Sequence, residues 1–156
     1  MKGKQVIIDA LNSLLASELA AMDQYFIHSR MYQDWGLNKL YERIDHEFDD
    51  EKGHAAKLIE RILFLEGTPD MTKRKGFLVG KDIVSMIESD LRVEYAVAKE
   101  LRDVIALCET EQDYVSREML ETLLDDTEVD HAYWLEIQLG LIKRIGIENY
   151  TQSQMG

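Results

Sequence analysis

Apolar residues recur every three or four positions through four long stretches of the chain, which is the period of an amphipathic helix. The pattern predicts helices over residues 4–34, 38–65, 82–108 and 113–145. Gly36 stands where a left-handed residue commonly ends a helix, and Asp82 is a suitable N-cap for the third helix. The tail from Ile147 onward is predicted to form a short fifth helix at the C-terminus.

The lengths of the connections predict how these helices pack. Only a few residues join the first helix to the second and the third to the fourth, so each pair is predicted to be antiparallel. The second and third helices are instead separated by the 16 residues 66–81. Fully extended, that segment spans about 50 Å, whereas a helix as long as the predicted second one is about 42 Å long. The sequence therefore predicts an all-α four-helix bundle with one long crossover, in a single domain spanning residues 1–156.

Acidic and histidine residues interrupt the apolar stripes near the middle of each helix, in the same order in both halves of the chain. The two sets are Glu18, Glu51 and His54 in the first half, and Glu94, Glu128 and His131 in the second. The interval from the lone Glu to the Glu-x-x-His pair is 33 residues in the first half and 34 in the second. Residues three apart on a helix share a face, so all six side chains are predicted to point into the core.

Each of these residues alone has an ordinary interpretation. A single Glu in an apolar stripe usually lies at its solvated edge, and a single His is usually a satisfied structural residue. These ordinary interpretations do not explain four carboxylates in one core, because buried charges without a partner are strongly destabilising. The conjunction therefore favours a metal site.

Four carboxylates and two imidazoles from four helices suit a pair of iron ions, although zinc or manganese could occupy the same ligands in vitro. Glu51 and Glu128 are predicted to bridge the two metals. The remaining four residues are predicted to divide between the metals, one Glu and one His each: Glu18, His54, Glu94 and His131.

Five further polar residues lie close to this predicted site in the helical pattern. His46 and Asp50 form an i,i+4 pair on a neighbouring face, which is solvated by default but would bind transiting iron if it lined a hollow shell. Glu47 and Asp90 lie on the core stripes, either as acids that support the ligands or as partly exposed members of the stripe. Tyr25 is either a hydrogen-bonding neighbour of the ligands or a core side chain.

Composition narrows the class of protein. The formal net charge is −12, from 30 acidic and 18 basic residues, so there is no basic stripe to bind nucleic acid. Cys108 is the only cysteine, which excludes an intrachain disulfide, fits a reducing compartment and predicts a buried thiol. Neither a signal-peptide pattern nor an apolar run of about 18 residues is found, so we expect a cytoplasmic protein without a membrane span.

Beyond the six ligand positions, several stretches resemble bacterioferritins, and the resemblance covers essentially the whole chain. The stretches are QYF at 24–26, IERILFLEG at 59–67, DYVSR at 113–117 and WLE at 134–136. The resemblance implies a ferritin-like fold, a homo-oligomeric hollow shell of 24 subunits and an iron-storage function. It also implies a ferroxidase that oxidises Fe(II) with dioxygen or peroxide and deposits ferric mineral inside the shell.

The resemblance also assigns roles to individual residues. The six predicted ligands match the ferroxidase ligands of the family, and His46 with Asp50 matches its inner-surface iron site. A ferredoxin-type reductant for iron release is the implied partner.

Lys52 departs from the haem-binding members, which carry Met at the position after the bridging Glu of the second helix. A protonated ammonium cannot ligate iron, so haem b is not expected in the homo-oligomer, and the resemblance is to the haem-poor subtype called bacterial ferritin. Co-assembly with Met-bearing subunits would leave a one-sided haem site, which makes a structural subunit with little catalysis the alternative function. A rubrerythrin-like oxidase is disfavoured, because that family adds a Cys-rich iron domain.

Gly53 is the one ligand-flanking residue without a predicted function. Glycine in a helix interior costs about 1 kcal/mol relative to alanine. Close approach of a neighbouring subunit is one interpretation.

Overall fold

The computed structural model describes residues 1–156, which form helices with no strand. The helices are α1 (Gln5–Asp34), α2 (Asn38–Phe64), α3 (Ile83–Thr110), α4 (Tyr114–Asp125), a π-helical segment (Asp126–Ala132), α5 (Tyr133–Ile145) and α6 (Ile147–Ser153). The predicted all-α bundle and its short C-terminal helix are confirmed.

Two helix ends have the residues that the sequence predicts. Asp82 caps α3 through a capping box: its Oδ1 accepts from the Ser85 backbone N–H at 2.8 Å, and the Ser85 Oγ accepts from the Asp82 N–H at 3.1 Å. Gly36, after α1, has a φ of 75°, the left-handed conformation that glycine adopts without steric cost. These local signals place the helix boundaries before any tertiary contact is considered.

The long connection between α2 and α3 runs along α1, as its length predicts. Its start is held by the Asn12 Nδ2, which donates to the Thr68 carbonyl at 3.1 Å. The Lys75 N–H donates to the Ala16 carbonyl at 3.2 Å, further along α1. The Gly80 N–H then donates to His28 Nε2 at 3.1 Å. From residue 12 to residue 28 of α1 is about 24 Å, so these contacts hold the crossover along about half the length of α1.

The apolar core consists of two clusters of buried side chains, one of 16 residues and one of 11. Leu15, Leu58 and Leu101 belong to the first cluster, and Ile44 and Ile87 to the second. In α2 and α3, the predicted ligands fall between the members of the two clusters. The polar residues therefore lie at mid-bundle with apolar layers on both sides, where water has little access.

The fourth long helix differs from its prediction in one respect. Seven residues, Asp126–Ala132, are π-helical, whereas the chain is α-helical on both sides of them. A π-turn has i→i+5 hydrogen bonds, so it is wider than an α-turn, and such turns occur frequently at functional sites. The segment contains both Glu128 and His131.

Helix α1 is long and apolar enough to cross a membrane by length and composition alone, with a mean hydropathy of 1.2 over 18 residues. However, 61% of that window is buried inside the structure. This burial is what the central helix of a bundle requires, because such a helix faces apolar neighbours on most sides.

Candidate metal centre

Five of the six predicted ligands come together in the centre of the bundle. Their exposed fractions are 0% for Glu18, 1% for Glu51, 4% for His54, 0% for Glu94 and 1% for His131. They come from α1, α2, α3 and the π-helical segment, so the tertiary packing of four elements is needed to assemble them.

The five residues form two groups that share Glu51. His54 Nδ1 lies 3.3 Å from Glu18 Oε2 and 3.5 Å from Glu51 Oε2. His131 Nδ1 lies 3.0 Å from Glu51 Oε1 and 3.4 Å from Glu94 Oε1. The two imidazole rings are stacked with centroids 5.7 Å apart. Each group presents carboxylate oxygens and one ring nitrogen to a common point, and Glu51 faces both points. Each of the two groups could therefore hold a metal ion, and Glu51 is common to both.

Several buried polar atoms in these groups have no hydrogen-bond partner. They are Glu18 Oε1, Glu51 Oε2, Glu94 Oε2 and His131 Nδ1. Most buried polar atoms in proteins are hydrogen-bonded, and an unsatisfied one costs about 1–3 kcal/mol. Three carboxylate oxygens and one imidazole nitrogen unsatisfied within one cluster make a hard-cation ligand set. The residues present therefore fit a pair of divalent cations.

Glu128 lies outside this cluster, and the expectation that its side chain points inward is wrong. Its side chain is 42% exposed and pairs with the Arg102 guanidinium. In a π-turn, residues three apart no longer share a face as closely as in an α-helix, so Glu128 turns away while His131 points in. A bridging role for Glu128 would require a change of this side chain or of the turn.

Asp126 reaches the cluster in its place and was not anticipated from the sequence. Its Oδ2 lies 2.6 Å from His54 Nε2, the ring nitrogen that faces away from Glu18 and Glu51. At His131, the outer nitrogen Nε2 is in ion-pair contact with Glu47 Oε2 at 2.5 Å, and its hydrogen bond is with Asp50 Oδ2 at 3.3 Å. A carboxylate on the outer nitrogen sets the tautomer and ring orientation of a metal-binding histidine. Asp126 lies five residues before His131, a spacing that does not share a face in an α-helix, so the helical period gave no signal for it.

Tyr25 donates a hydrogen bond to Glu94 Oε1 at 2.5 Å, and its side chain is buried. Burial, followed by the charge of Glu94, raises the pKa of Tyr25 well above its ordinary value, so the phenol stays protonated. Both interpretations from the sequence hold, because Tyr25 hydrogen-bonds to Glu94 and also belongs to the second apolar cluster.

Asp90 is buried and lies in a separate polar network one turn before Glu94. His28 Nδ1 lies 2.8 Å from its Oδ1, and Gln24 donates to the same oxygen at 2.7 Å. His28 also accepts the hydrogen bond from the Gly80 N–H described above. The network therefore attaches the end of the crossover to the bundle. The sequence placed Asp90 on the core stripe but did not single out His28.

His46 and Asp50 are neighbours, with His46 Nε2 3.5 Å from Asp50 Oδ2. Asp50 Oδ2 also lies 3.3 Å from His131 Nε2, so it contacts the central cluster as well. Cys108 is buried, as predicted, and burial raises the pKa of its thiol to about 11.

The carboxylates around the histidines change their protonation. Burial lowers the pKa of an imidazole, but the hydrogen bond with Glu18 and the nearby negative charge of Glu51 outweigh it and raise the pKa of His54 to about 11. The pKa of His131 is raised further, because the contacts with Asp50 and Glu47 also outweigh burial. For Glu18, burial and then the charge of Glu51 raise the pKa well above its ordinary value. Without metal, both imidazoles are therefore protonated at neutral pH.

We expect metal loading at pH 7 to release roughly two protons per subunit, because only a neutral imidazole can ligate a cation. The measurement is anaerobic titration of the metal-free protein with Co(II) in a weakly buffered pH-indicator solution. The apparent affinity should rise with pH from 6 to 8. Proton release that is absent, or an affinity that falls with rising pH, would contradict the assignment of His54 and His131.

Fold and site together define a class of protein: a four-helix bundle with a long crossover and a buried carboxylate–histidine cluster at its centre. Comparison with known proteins gives the same class. The model of the ferritin-like domain family matches residues 8–145.

Curated relatives match over nearly the full length. A bacterial ferritin of Synechocystis sp. is 61% identical over 99% of both chains. One of Pseudomonas aeruginosa is 56% identical over 99% of this chain and 100% of its own. A bacterioferritin of Brucella melitensis is 38% identical over 97% of this chain and 94% of its own. The chain belongs to the ferritin-like family, and within it to the bacterioferritin type.

Proposed function

We propose that this protein stores iron and oxidises Fe(II) to Fe(III) at the buried cluster, with the ferric product kept inside a shell of 24 subunits. The observation that carries the proposal is the set of unpartnered buried atoms on Glu18, Glu51, Glu94 and His131. Such a set is costly in the folded chain unless cations occupy it, at least during turnover. The bacterial ferritin relatives support iron as the cation.

Fe(II) is the substrate in this proposal, and the side chains bind and orient it. Glu18 and His54 would hold one ion and Glu94 and His131 the other, while Glu51 lies between both. Each ion gives up one electron, so two Fe(II) with two protons reduce one dioxygen to peroxide or one peroxide to two waters. Carboxylates favour the ferric product, because they are hard, negatively charged ligands.

The Tyr25 phenol stays protonated and donates a hydrogen bond to Glu94, which fixes the orientation of that carboxylate. Asp126 orients the His54 imidazole through a hydrogen bond to its outer nitrogen, and Asp50 does so for His131. The apolar layers above and below exclude bulk water. The six ligands of the sequence prediction remain our proposal, with Glu128 joining the cluster only if the π-turn rearranges around metal.

Lys52 supports a shell without the bis-methionine haem. Its side chain is 65% exposed, and Nζ lies 3.7 Å from Asp49 Oδ1. An exposed, paired ammonium offers no electron pair to a haem iron. The alternative function, a structural subunit that shares a one-sided haem site with a Met-bearing partner, rests on this same residue. The five ligands gathered in the cluster favour catalysis over it. We place the shell in the cytoplasm, with a ferredoxin-type reductant for iron release.

Assembly and iron retention test the proposal together. The purified protein should elute at several hundred kilodaltons rather than near its 18.1 kDa subunit mass. After aerobic addition of Fe(II) well beyond two per subunit, ferric iron should coelute with the shell. Elution as a monomer or dimer would contradict storage. A shell that oxidises Fe(II) no faster than buffer would instead support the structural-subunit alternative.

A further inference from the structure

Glu128 is held outside the metal centre by an ion pair on the surface of the bundle. Its Oε1 accepts a hydrogen bond from the guanidinium of Arg102 in α3, and both side chains are exposed. An exposed ion pair is a weak interaction, because water and salt screen both charges. The contact with Arg102 therefore gives Glu128 a position that stronger interactions elsewhere can outweigh.

The turn that carries Glu128 contains an unsatisfied hydroxyl. Thr127 Oγ1 is buried and has no hydrogen-bond partner. In an α-turn, a threonine hydroxyl can donate to the carbonyl four residues earlier, which here is that of Leu123. Because a buried hydroxyl without a partner is unfavourable, the π-helical form of residues 126–132 has a cost that an α-turn at Thr127 would remove.

A second position for Glu128 lies beside His131. The His131 side chain already faces the cluster, with Nδ1 3.0 Å from Glu51 Oε1. Residues three apart share a face of an α-helix, so an α-turn from Glu128 to His131 would point Glu128 inward. A π-turn holds one residue more than an α-turn, and this residue can pass to the adjoining turn of α4 while both flanking helices stay in place.

We propose that Arg102 is a positioning residue that restrains Glu128 outside the centre until cations bind. The proposal rests on the function proposed above and adds a restraint that lowers the affinity of the centre. Filling the centre then requires the ion pair to break and the π-turn to move, which uses part of the binding free energy. A chain without the restraint should therefore bind divalent cations more tightly, whereas loss of a merely structural contact would leave the affinity equal or lower.

Arg102→Gln should lower the dissociation constant for Co(II) about threefold, since an exposed ion pair shifts such an equilibrium by at most about fivefold. Gln has nearly the helix propensity of Arg, so the melting temperature of the metal-free protein should stay the same. The measurement is anaerobic competition for Co(II) between the protein and a chromophoric chelator at low salt. Arg92→Gln is the matched control, because Arg92 is exposed on the same helix and has no ion-pair partner; it should bind as wild type does. Equal dissociation constants for wild type and Arg102→Gln would overturn the restraint.

Removing a positive charge near the centre could attract cations by itself, and a double-mutant cycle separates that effect from the restraint. Glu128→Ala removes the side chain through which Arg102 acts. In the Glu128→Ala protein, the further change Arg102→Gln should leave the dissociation constant nearly unaltered. A gain as large as that in the protein with Glu128 would show that charge alone is responsible, and it would overturn the proposal.

Salt dependence and a loaded crystal give two further readouts. The difference between wild type and Arg102→Gln should shrink as salt increases, because ions screen the exposed pair. In crystals of the Co(II)-loaded wild-type protein, with the metals located by anomalous scattering, Glu128 should lie beside His131. A Glu128 that still pairs with Arg102 when both metal positions are filled would contradict the restraint.

The two proposals fail in different ways. If wild-type protein binds no Co(II) at about two per subunit, the metal centre itself is contradicted, and the restraint with it. If wild type binds Co(II) in that amount and Arg102→Gln binds it with the same affinity, only the restraint is overturned.

Discussion

Replacing Glu51 with Ala should abolish the fast phase of Fe(II) oxidation. Glu51 is the one side chain that faces both histidines, with Oε1 3.0 Å from His131 Nδ1 and Oε2 3.5 Å from His54 Nδ1. Its loss removes a ligand from both cation positions at once. We expect a decrease of about 100-fold or more in the initial rate, since loss of an outer partner alone commonly costs 10–100-fold. The measurement is anaerobic loading with two Fe(II) per subunit, then oxygen, followed by ultraviolet absorbance.

Glu60→Ala is the control for that experiment, because Glu60 lies on the same helix with an exposed side chain. It should oxidise Fe(II) at the wild-type rate. Glu18→Ala and His131→Ala should lose the fast phase as well, each through one cation position. A Glu51→Ala variant that keeps the fast phase would place the oxidation elsewhere in the chain.

Redox-inert divalent metal should raise the melting temperature of the wild-type protein by roughly 10–20 °C. Ligand at 100 times its dissociation constant stabilises a one-site protein by about 2.7 kcal/mol, and two sites about double this. One kcal/mol corresponds to about 2–4 °C for a chain of this size. Co(II) or Zn(II) added to metal-free protein during differential scanning calorimetry provides the measurement.

Glu18→Gln should lose at least half of that increase without lowering the melting temperature of the metal-free protein. Burial and the charge of Glu51 raise the pKa of Glu18, so at neutral pH its ionised form destabilises the metal-free folded state. The neutral amide removes that cost while removing a metal ligand. Glu60→Gln should respond to metal as wild type does. A metal-free Glu18→Gln protein that melts well below wild type would indicate a structural role for this carboxylate instead.

Glu18→Gln is expected to reduce the stabilisation by metal without reducing the stability of the metal-free protein. This difference marks the cluster as a functional feature rather than a structural one. A site built for stability would lose stability when one of its members is neutralised. Here the folded chain keeps acids that favour metal binding at the expense of the metal-free state.

Most of the fold could be predicted from the chain because its signals are local. Helix boundaries follow from Asp82, Gly36 and the 3.6-residue period, and the crossover follows from the length of residues 66–81. The central position of Glu18, Glu51, His54 and Glu94 could also be predicted, since α-helical geometry relates positions on one face directly. Those residues all lie in regular α-helix.

The π-helical segment is where prediction from periodicity ends. In α-helical register Glu128 belongs to the inner face and Asp126 does not, yet the structure has Asp126 on His54 and Glu128 on Arg102. The wider turn over these seven residues exchanges the positions of the two acids, so that Asp126 faces the cluster and Glu128 faces away. No residue type marks a π-turn as glycine marks a helix end, so the helical period gives no signal for it.

The sequence by itself determined that this chain forms four long helices with one long crossover, and that acids and histidines interrupt the apolar stripes at mid-helix. Local backbone preferences and the period of burial are enough for that. Only the tertiary structure decided which acids meet the two imidazoles. Those choices depend on the relative rotation of neighbouring helices, which the packing of the two apolar layers sets and no single helix encodes.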